Sequence, residues 1–215
     1  MPTVFPSHRE PTATESRVLE AALQVFAEKG LHGASTQDIS SVAGVSKSTL
    51  HYYYRHKEEL YERVFENVFT EMFVPLRETL VPGLGLRENL EAFIGFHVRD
   101  SYEKPEMVRL WMQENLIGAP VARRVTQKFN AREDSPFRIF VENLQDAIDR
   151  GESRPVDPLQ TLVTAMGSVF FLPLSEASMV ATLEVLGGQP IDLDDFVAQR
   201  TEYLVGLIYH GLRVG

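Results

Sequence analysis

The sequence predicts an all-α fold of about nine helices, a three-helix N-terminal segment followed by a larger helical domain. Three observations lead there. Apolar residues recur at helical spacing along the 215 residues. No strand-like alternation joined by hairpin turns competes with that pattern. The breaks between stripes are glycine and proline punctuation: Gly30, Gly44, Pro82-Gly83-Leu84-Gly85, Gly118-Ala119-Pro120 and Gly187-Gly188.

The first helix opens on a capping box, Thr12 with Glu15, and carries Val18, Ala21, Ala22, Val25 and Phe26 on one face. Gly30 supplies its left-handed stop. A second helix starts at Ser35, whose side chain can cap the amide of Asp38, and buries Ile39, Val42 and Ala43. Gly44 takes the positive φ that a tight turn needs, Val45 plugs the corner, and Ser46 caps a third helix. Leu50 and Tyr54 point inward there, which leaves Lys47, Ser48, Thr49, His51, Tyr52 and Tyr53 outside. Two short helices joined by a tight turn are the layout of a helix-turn-helix. Hydroxyls suit phosphate, threonine methyls touch thymine, and lysine reaches guanine or phosphate, so this outer face fits DNA. The alternative, that the tyrosines cover a small core, is adopted for Tyr54.

A fourth helix from Lys57-Glu58-Glu59 carries Tyr61, Val64, Phe65, Val68, Phe69, Met72, Phe73 and Leu76, with a kink or end expected at Pro75. The fifth, from about Arg87, aligns Leu90, Phe93, Ile94, His97 and Val98. The sixth, Pro105 to Ile117, places Met107, Leu110, Trp111 and Glu114 in register, and the segment to Phe129 can be helical. A helix from Pro136 to Arg150 lines up Phe137, Phe140, Val141, Leu144 and Ile148. Asp157-Pro158 then open one whose inner face is Leu162, Val163, Met166, Val169 and Phe170. The last starts at the acidic run Asp192 to Asp195 and carries Phe196, Val197, Tyr203, Leu204, Leu207 and Ile208. Two long apolar terminal helices suggest half of a four-helix bundle across a dimer axis, the alternative being burial within one subunit.

With no cysteine, the chain has no disulfide, thiolate metal site or cysteine nucleophile. The net charge of −9 lies mainly beyond the reading segment: residues 1–60 hold six Lys/Arg against seven Asp/Glu, the other 155 fifteen against twenty-three. The first residues lack a basic region followed by an apolar core. The most apolar stretch, Leu162 to Leu174, is 13 residues long and reads as too short to span a bilayer. A soluble, cytoplasmic protein without membrane contact is expected. Phe93, His97, Trp111, Glu114, Phe137, Phe140, Met166 and Phe170 are candidates for an apolar ligand cavity with a few polar groups, Glu114 favouring a cationic or donor ligand. The alternative is ordinary core.

The stretch GVSKSTLHYYYRHKEEL resembles the pattern GVSxGTLYxYFxxKEEL of TetR-type (TetR/AcrR) transcriptional regulators, and STQDISSVAG resembles their TTxxxIAxxAG. The likeness covers about residues 14 to 64. It implies that Thr36 and Gln37 contact phosphate or a base edge, that Lys47, Ser48 and Thr49 meet the groove, that His51, Tyr52 and Tyr53 flank phosphates, and that Lys57 clamps the backbone. Three positions depart from the pattern: Ser40 replaces a usual Ala, Ser48 a common Gly, and His51 a Tyr, whose imidazole would make phosphate contact pH-sensitive. The resemblance further implies a repressor released from a near-palindromic operator on double-stranded DNA by a small-molecule effector, dimerising through its last two helices. The expected division is an arm (1–13), a helix-turn-helix domain (14–60) and a ligand-binding and dimerisation domain (61–215), with no cofactor, metal or catalytic residue.

A competing class is an all-α binding protein or enzyme using His97 and Glu114. No GxSxG, GxGxxG, P-loop or metal-binding histidine pair supports it, and His51 and His56 diverge on a helix. A third reading reuses the helix-turn-helix for protein contact, with Tyr52 and Tyr53 buried in a partner. Tyr53→Ala or Lys57→Ala is expected to abolish operator binding in a mobility-shift assay while leaving the dimer and its melting temperature nearly unchanged.

Overall fold

A computed structural model of the chain describes residues 11–214. Ten helices and no named strand occur among the described residues: α1 Ala13–Gly33, α2 Thr36–Ala43, α3 Lys47–Tyr53, α4 Lys57–Thr79, α5 Leu86–Glu103, α6 Pro105–Leu116, α7 Pro120–Asn130, α8 Pro136–Asp149, α9 Pro158–Gly187 and α10 Leu193–Leu212. The all-α expectation holds, with the segment to Phe129 forming its own helix, α7. The expected N-terminal arm lies mostly outside the described residues, but Thr12 and Ala13 already belong to the start of α1.

The helices form two compact units that divide the chain differently from the expected boundary after residue 60. The first takes residues up to Val74 together with Pro105–Arg132; the second takes Pro75–Lys104 and the chain from Glu133 onward. In the first unit, α1 packs on α2 and α6, and α6 on α7. Its core is a run of aromatic pairs, edge-on at one end and tilted at the other. Phe26 meets Tyr61 at 4.8 Å and 88°, Trp111 lies 5.5 Å from Phe69, and Phe129 lies 4.6 Å from Phe73. Each such pair adds to the area it buries.

In the second unit α5 is the central helix, packed against α8, α9 and α10. Buried Asn143 ties the turn before α5 to α8. Its Nδ2 donates to the Val81 carbonyl at 2.9 Å and to Asn89 Oδ1 at 3.0 Å, and its Oδ1 accepts the Gly83 amide at 2.7 Å. Asn89 in turn donates to the Phe140 carbonyl at 3.0 Å. This network explains a shifted register in α8. The buried positions are Pro136, Ile139, Phe140, Asn143, Leu144 and Ala147, while Phe137, Val141 and Ile148 are only half-buried.

Three other expectations are corrected. Val42 is 51% exposed, because the buried arc of α2 leans toward Ser40 and Ala43, whose small side chains allow close packing. Of the kink or end expected at Pro75 the end does not occur, since α4 continues to Thr79, with Phe73 and Leu76 buried on either side of the proline. In α9 the buried residues are Thr161, Ala165, Val169 and Leu172, whereas Leu162, Met166 and Phe170 are half-buried and Val163 is exposed. The apolar run read as 13 residues belongs to a helix of 30 that is, by length and composition, long and apolar enough to cross a membrane.

Candidate nucleic-acid interface and effector cluster

Local chemistry sets the geometry of α2 and α3. Ser35 Oγ accepts the Asp38 amide at 3.1 Å, and Asp38 Oδ2 accepts the Ser35 amide at 3.1 Å, a reciprocal capping box. The hydrogen bond from Ser35, with Lys29 3.1 Å away, holds the Asp38 carboxyl below its usual range. Gly44 has φ 63° and ψ 36°, and the Gly44 and Val45 amides return to the Ser41 and Ser40 carbonyls at 3.3 and 3.1 Å. That Schellman pattern requires the left-handed residue and sets the turn. Ser46 Oγ then accepts the Thr49 amide at 3.0 Å. Inside, Leu50 and Tyr54 are buried, and Tyr54 Oη donates to Glu15 at 3.0 Å. Burial and the Glu15 charge push the Tyr54 phenol well above its ordinary range.

The expected DNA-contacting residues come together on this head, with differing freedom. Gln37, Lys47, Ser48, His51 and Tyr52 are exposed, and Thr36, Thr49, Tyr53 and Lys57 are half-buried. Tyr52 is 82% exposed, with its ring edge-on to Tyr53 at 5.2 Å. Others already have partners. Ser46 Oγ lies 2.8 Å from the hydroxyls of both Ser48 and Thr49. Gln37 donates to Ser41 at 3.3 Å, and Tyr53 Oη is 3.1 Å from Thr12 Oγ1. Lys57 Nζ donates to the Ala34 carbonyl at 2.8 Å, so it fastens α4 to the chain before α2. Tyr53 and Lys57 therefore also hold the head together. Lys47 and Tyr52 are the cleaner probes of a surface role.

The eight effector candidates divide between the two units. Trp111 and Glu114 belong to the first, where Trp111 packs against Phe65 and Phe69. Glu114 is fully buried and its carboxylate is occupied by the protein. Oε2 accepts the Tyr61 hydroxyl at 2.9 Å, while Oε1 accepts the Val121 amide and, at 3.1 Å, that of Ala122. It caps α7, whose N-cap residue Ala119 has no capping side chain. The expectation that Glu114 faces a cationic ligand is corrected on this ground. Burial and the Glu114 bond push the Tyr61 phenol well above its usual range.

Phe93, His97, Phe137, Phe140, Met166 and Phe170 all belong to the second unit. His97 is the hub, with ring centroids of Phe93 at 4.6 Å, Phe170 at 5.9 Å and Phe137 at 6.3 Å, the last nearly parallel. Phe140 lies 4.4 Å from Phe93. Burial lowers the His97 imidazole to about 3, so it is neutral at physiological pH. Sequence reasoning missed Tyr102 and Arg200, polar groups of the same unit. Arg200, among Gln199, Thr201 and Glu202, looked like an ordinary surface residue, and Tyr102, beside the Lys104-Pro105 break, like the end of a helix.

Residues 18–64 match the family described as bacterial regulatory proteins, tetR family. The HTH-type transcriptional regulator RutR of Escherichia coli is 27% identical over 209 residues, spanning 95% of this chain and 93% of its own. Residues 18–64 are thus a tetR-family segment. Solved TetR-like structures share the whole fold. The ketosteroid transcriptional regulator KstR2 of Mycobacterium tuberculosis superposes with a TM-score of 0.70 at 17% identity, over 96% of this chain and 98% of that one. The regulator FadR of Bacillus subtilis, solved with stearoyl-CoA, gives 0.61 at 21% identity, over 91% and 98%. The matched segment runs from within α1 into the first turns of α4, and the regulator relatives make this a DNA-binding transcriptional regulator.

Two consequences are measurable. Glu114→Ala strands the Tyr61 hydroxyl and two α7 amides, so urea unfolding followed by Trp111 fluorescence is expected to show a loss of roughly 3 kcal/mol or more. Trp111 is the chain's single tryptophan and lies in that unit. Because His97 binds its proton in the unfolded but not the folded chain between about 3 and the ordinary value, stability falls as pH drops below that ordinary value. The contribution is up to about 1.4 kcal/mol per pH unit, and His97→Phe is expected to flatten the slope of urea-unfolding free energy between about pH 4 and 6.

Proposed function

We propose that the protein is a homodimeric repressor that leaves a near-palindromic operator when a small organic effector binds its second unit. The observation that carries the reading is the α3 face: a helix capped by Ser46 and anchored by Leu50, presenting Lys47, Ser48, His51 and Tyr52 to solvent. Lys47 and the hydroxyls supply phosphate contacts, and Tyr52 and Tyr53 flank them; Thr36 and Gln37 approach from α2.

Dimerisation is supported by the apolar residues that α9 and α10 leave exposed. Val163 is 65% and Leu207 60% exposed, with Leu159, Phe171 and Tyr203 similarly open. An apolar face of this kind marks a partner surface, and the opposite side of α9 already packs on α5 and α8. A second copy would cover it and bring two recognition helices onto successive major grooves, about 34–36 Å apart or somewhat more. This reading accounts for the apolar composition of α9 without a bilayer and fits a cytoplasmic regulator.

The aromatic cluster around His97 is the proposed effector site. FadR, of the same fold, is solved with stearoyl-CoA, which supports a ligand role for such a domain. An effector that prefers one conformation shifts operator affinity, and DNA must weaken the effector by the same factor. Helix α4 contributes residues to both units and is the proposed lever.

Selection of the full chain against a randomised duplex pool at about 0.15 M salt is expected to enrich one inverted repeat; recovery of no consensus from folded dimer would sink the operator reading. On the enriched site, Lys47→Ala should lower the slope of log K against log salt by about 1. Leu207→Glu should yield a folded monomer by sedimentation that binds the repeat far more weakly.

A further inference from the structure

The second unit contains two buried hydrogen-bond donors, Tyr102 Oη and Arg200 Nε, with no acceptor among the described residues. Buried polar groups are ordinarily paired, and the exceptions concentrate where function uses them. The guanidinium is held in place by Nη2, which donates to the Ser168 carbonyl of α9 at 3.2 Å, while the buried Nε has no acceptor among the described residues. Its carbon also lies 6.0 Å from the Tyr203 ring centroid. The neighbouring residue, Thr201, closes on α5 so tightly that a Cβ at Gly95 would come within 3.3 Å of its methyl. Tyr102, at the C-terminal end of the same α5, is within electrostatic reach of Arg200 and of Glu176, an exposed residue of α9. Burial and the Glu176 charge raise the phenol to about 12, so it keeps its proton and remains a donor.

We infer that Tyr102 and Arg200 bind the carboxylate of a small organic acid, whose apolar body rests against the aromatic cluster around His97. Two buried donors, one of them charged, call for an acceptor that carries negative charge. The cluster lies in the same unit: α9, whose Ser168 carbonyl holds Arg200, also carries Phe170, and the Phe170 ring is 5.9 Å from His97. Neutral His97 and its phenylalanines offer the anion no counter-charge, so the acid's polar end is assigned to Arg200 and its hydrocarbon to the rings. This deepens the effector reading above and rests on it for the consequence on DNA, not for the binding itself.

The test is a thermal-shift series on the full chain with phenylacetate and octanoate against phenylacetamide and octanamide, at millimolar concentration. Either acid is expected to raise the melting temperature by about 3 °C near tenfold its dissociation constant, and neither amide to do so. Arg200→Gln and Tyr102→Phe should each lose the response. Tyr102→Phe alone should melt at or above the wild-type temperature without ligand, since it removes a donor that has no acceptor. Amides acting as well as acids, acids shifting Arg200→Gln as they shift wild type, or no shift by either acid would overturn the assignment. So would a Tyr102→Phe protein that melts lower, because the hydroxyl then has a structural partner. Anisotropy of a labelled operator, followed in parallel, separates the two levels: acid binding without DNA release keeps this site and removes the effector role, whereas release by the amides keeps an effector role and removes this site.

Discussion

A buried carboxylate can persist only where its oxygens are met by donors, and Glu114 meets that constraint by tying three helices together. Its three donors come from two other helices, the phenol of α4 and the first amides of α7. Taking any of them away leaves charge in a low-dielectric interior. The aromatic edges from Phe26 to Phe129 can then pack at fixed angles, because the helices that carry them are held in one register. Gln113, the preceding residue on α6, donates to the Ala27 carbonyl of α1 and extends the tie toward the reading head. The first compact unit is thus larger than a bare helix-turn-helix. It includes α6 and α7, which a boundary drawn after residue 60 assigns elsewhere.

Within the head, stiffness comes from short-range chemistry. Ser35, Ser46 and Gly44 each settle one backbone junction, so the orientation of α3 does not depend on a large core. Tyr54 and Glu15 add one buried bond between α1 and the end of α3. The outer hydroxyls of Ser48 and Thr49 are drawn toward Ser46. On the proposed DNA reading, a phosphate would compete with these contacts, which lowers the strength of each polar contact while keeping its geometry. Among the described residues, Tyr52 and Lys47 carry no such hydrogen bond.

How much was legible in advance depends on the range of the interaction. The Thr12–Glu15 box, the Ser35 and Ser46 caps, the Gly44 turn and the inward Leu50 and Tyr54 are encoded within a few residues, and the residue types alone specify them. Val42 was misread because a helix of eight residues leaves the direction of its buried arc to what it packs against. The α8 register was misread because Asn143 looks like a surface residue until the chain 60 residues earlier offers it an amide and a carbonyl. Glu114 was misassigned for a related reason: a carboxylate on an apolar stripe signals a buried partner, and only the fold says whether that partner is a ligand or the protein. Tyr102 and Arg200 were passed over because each, alone, sits at an ordinary position. Their meaning comes from α5 and α10 meeting at Gly95 and Thr201.

The bond between Thr12 and Tyr53 has a practical side. It places the point where the preceding chain joins α1 beside the outermost turn of the recognition helix. Charge carried close to Thr12 therefore acts within one hydrogen bond of Tyr53. A basic leader there would supply extra phosphate attraction of its own, and an acidic one would repel. At the other end Arg213 pairs with Ser153, both within the second unit. Charge added next to Thr12 is thus the change to avoid when the duplex affinity of α3 itself is measured.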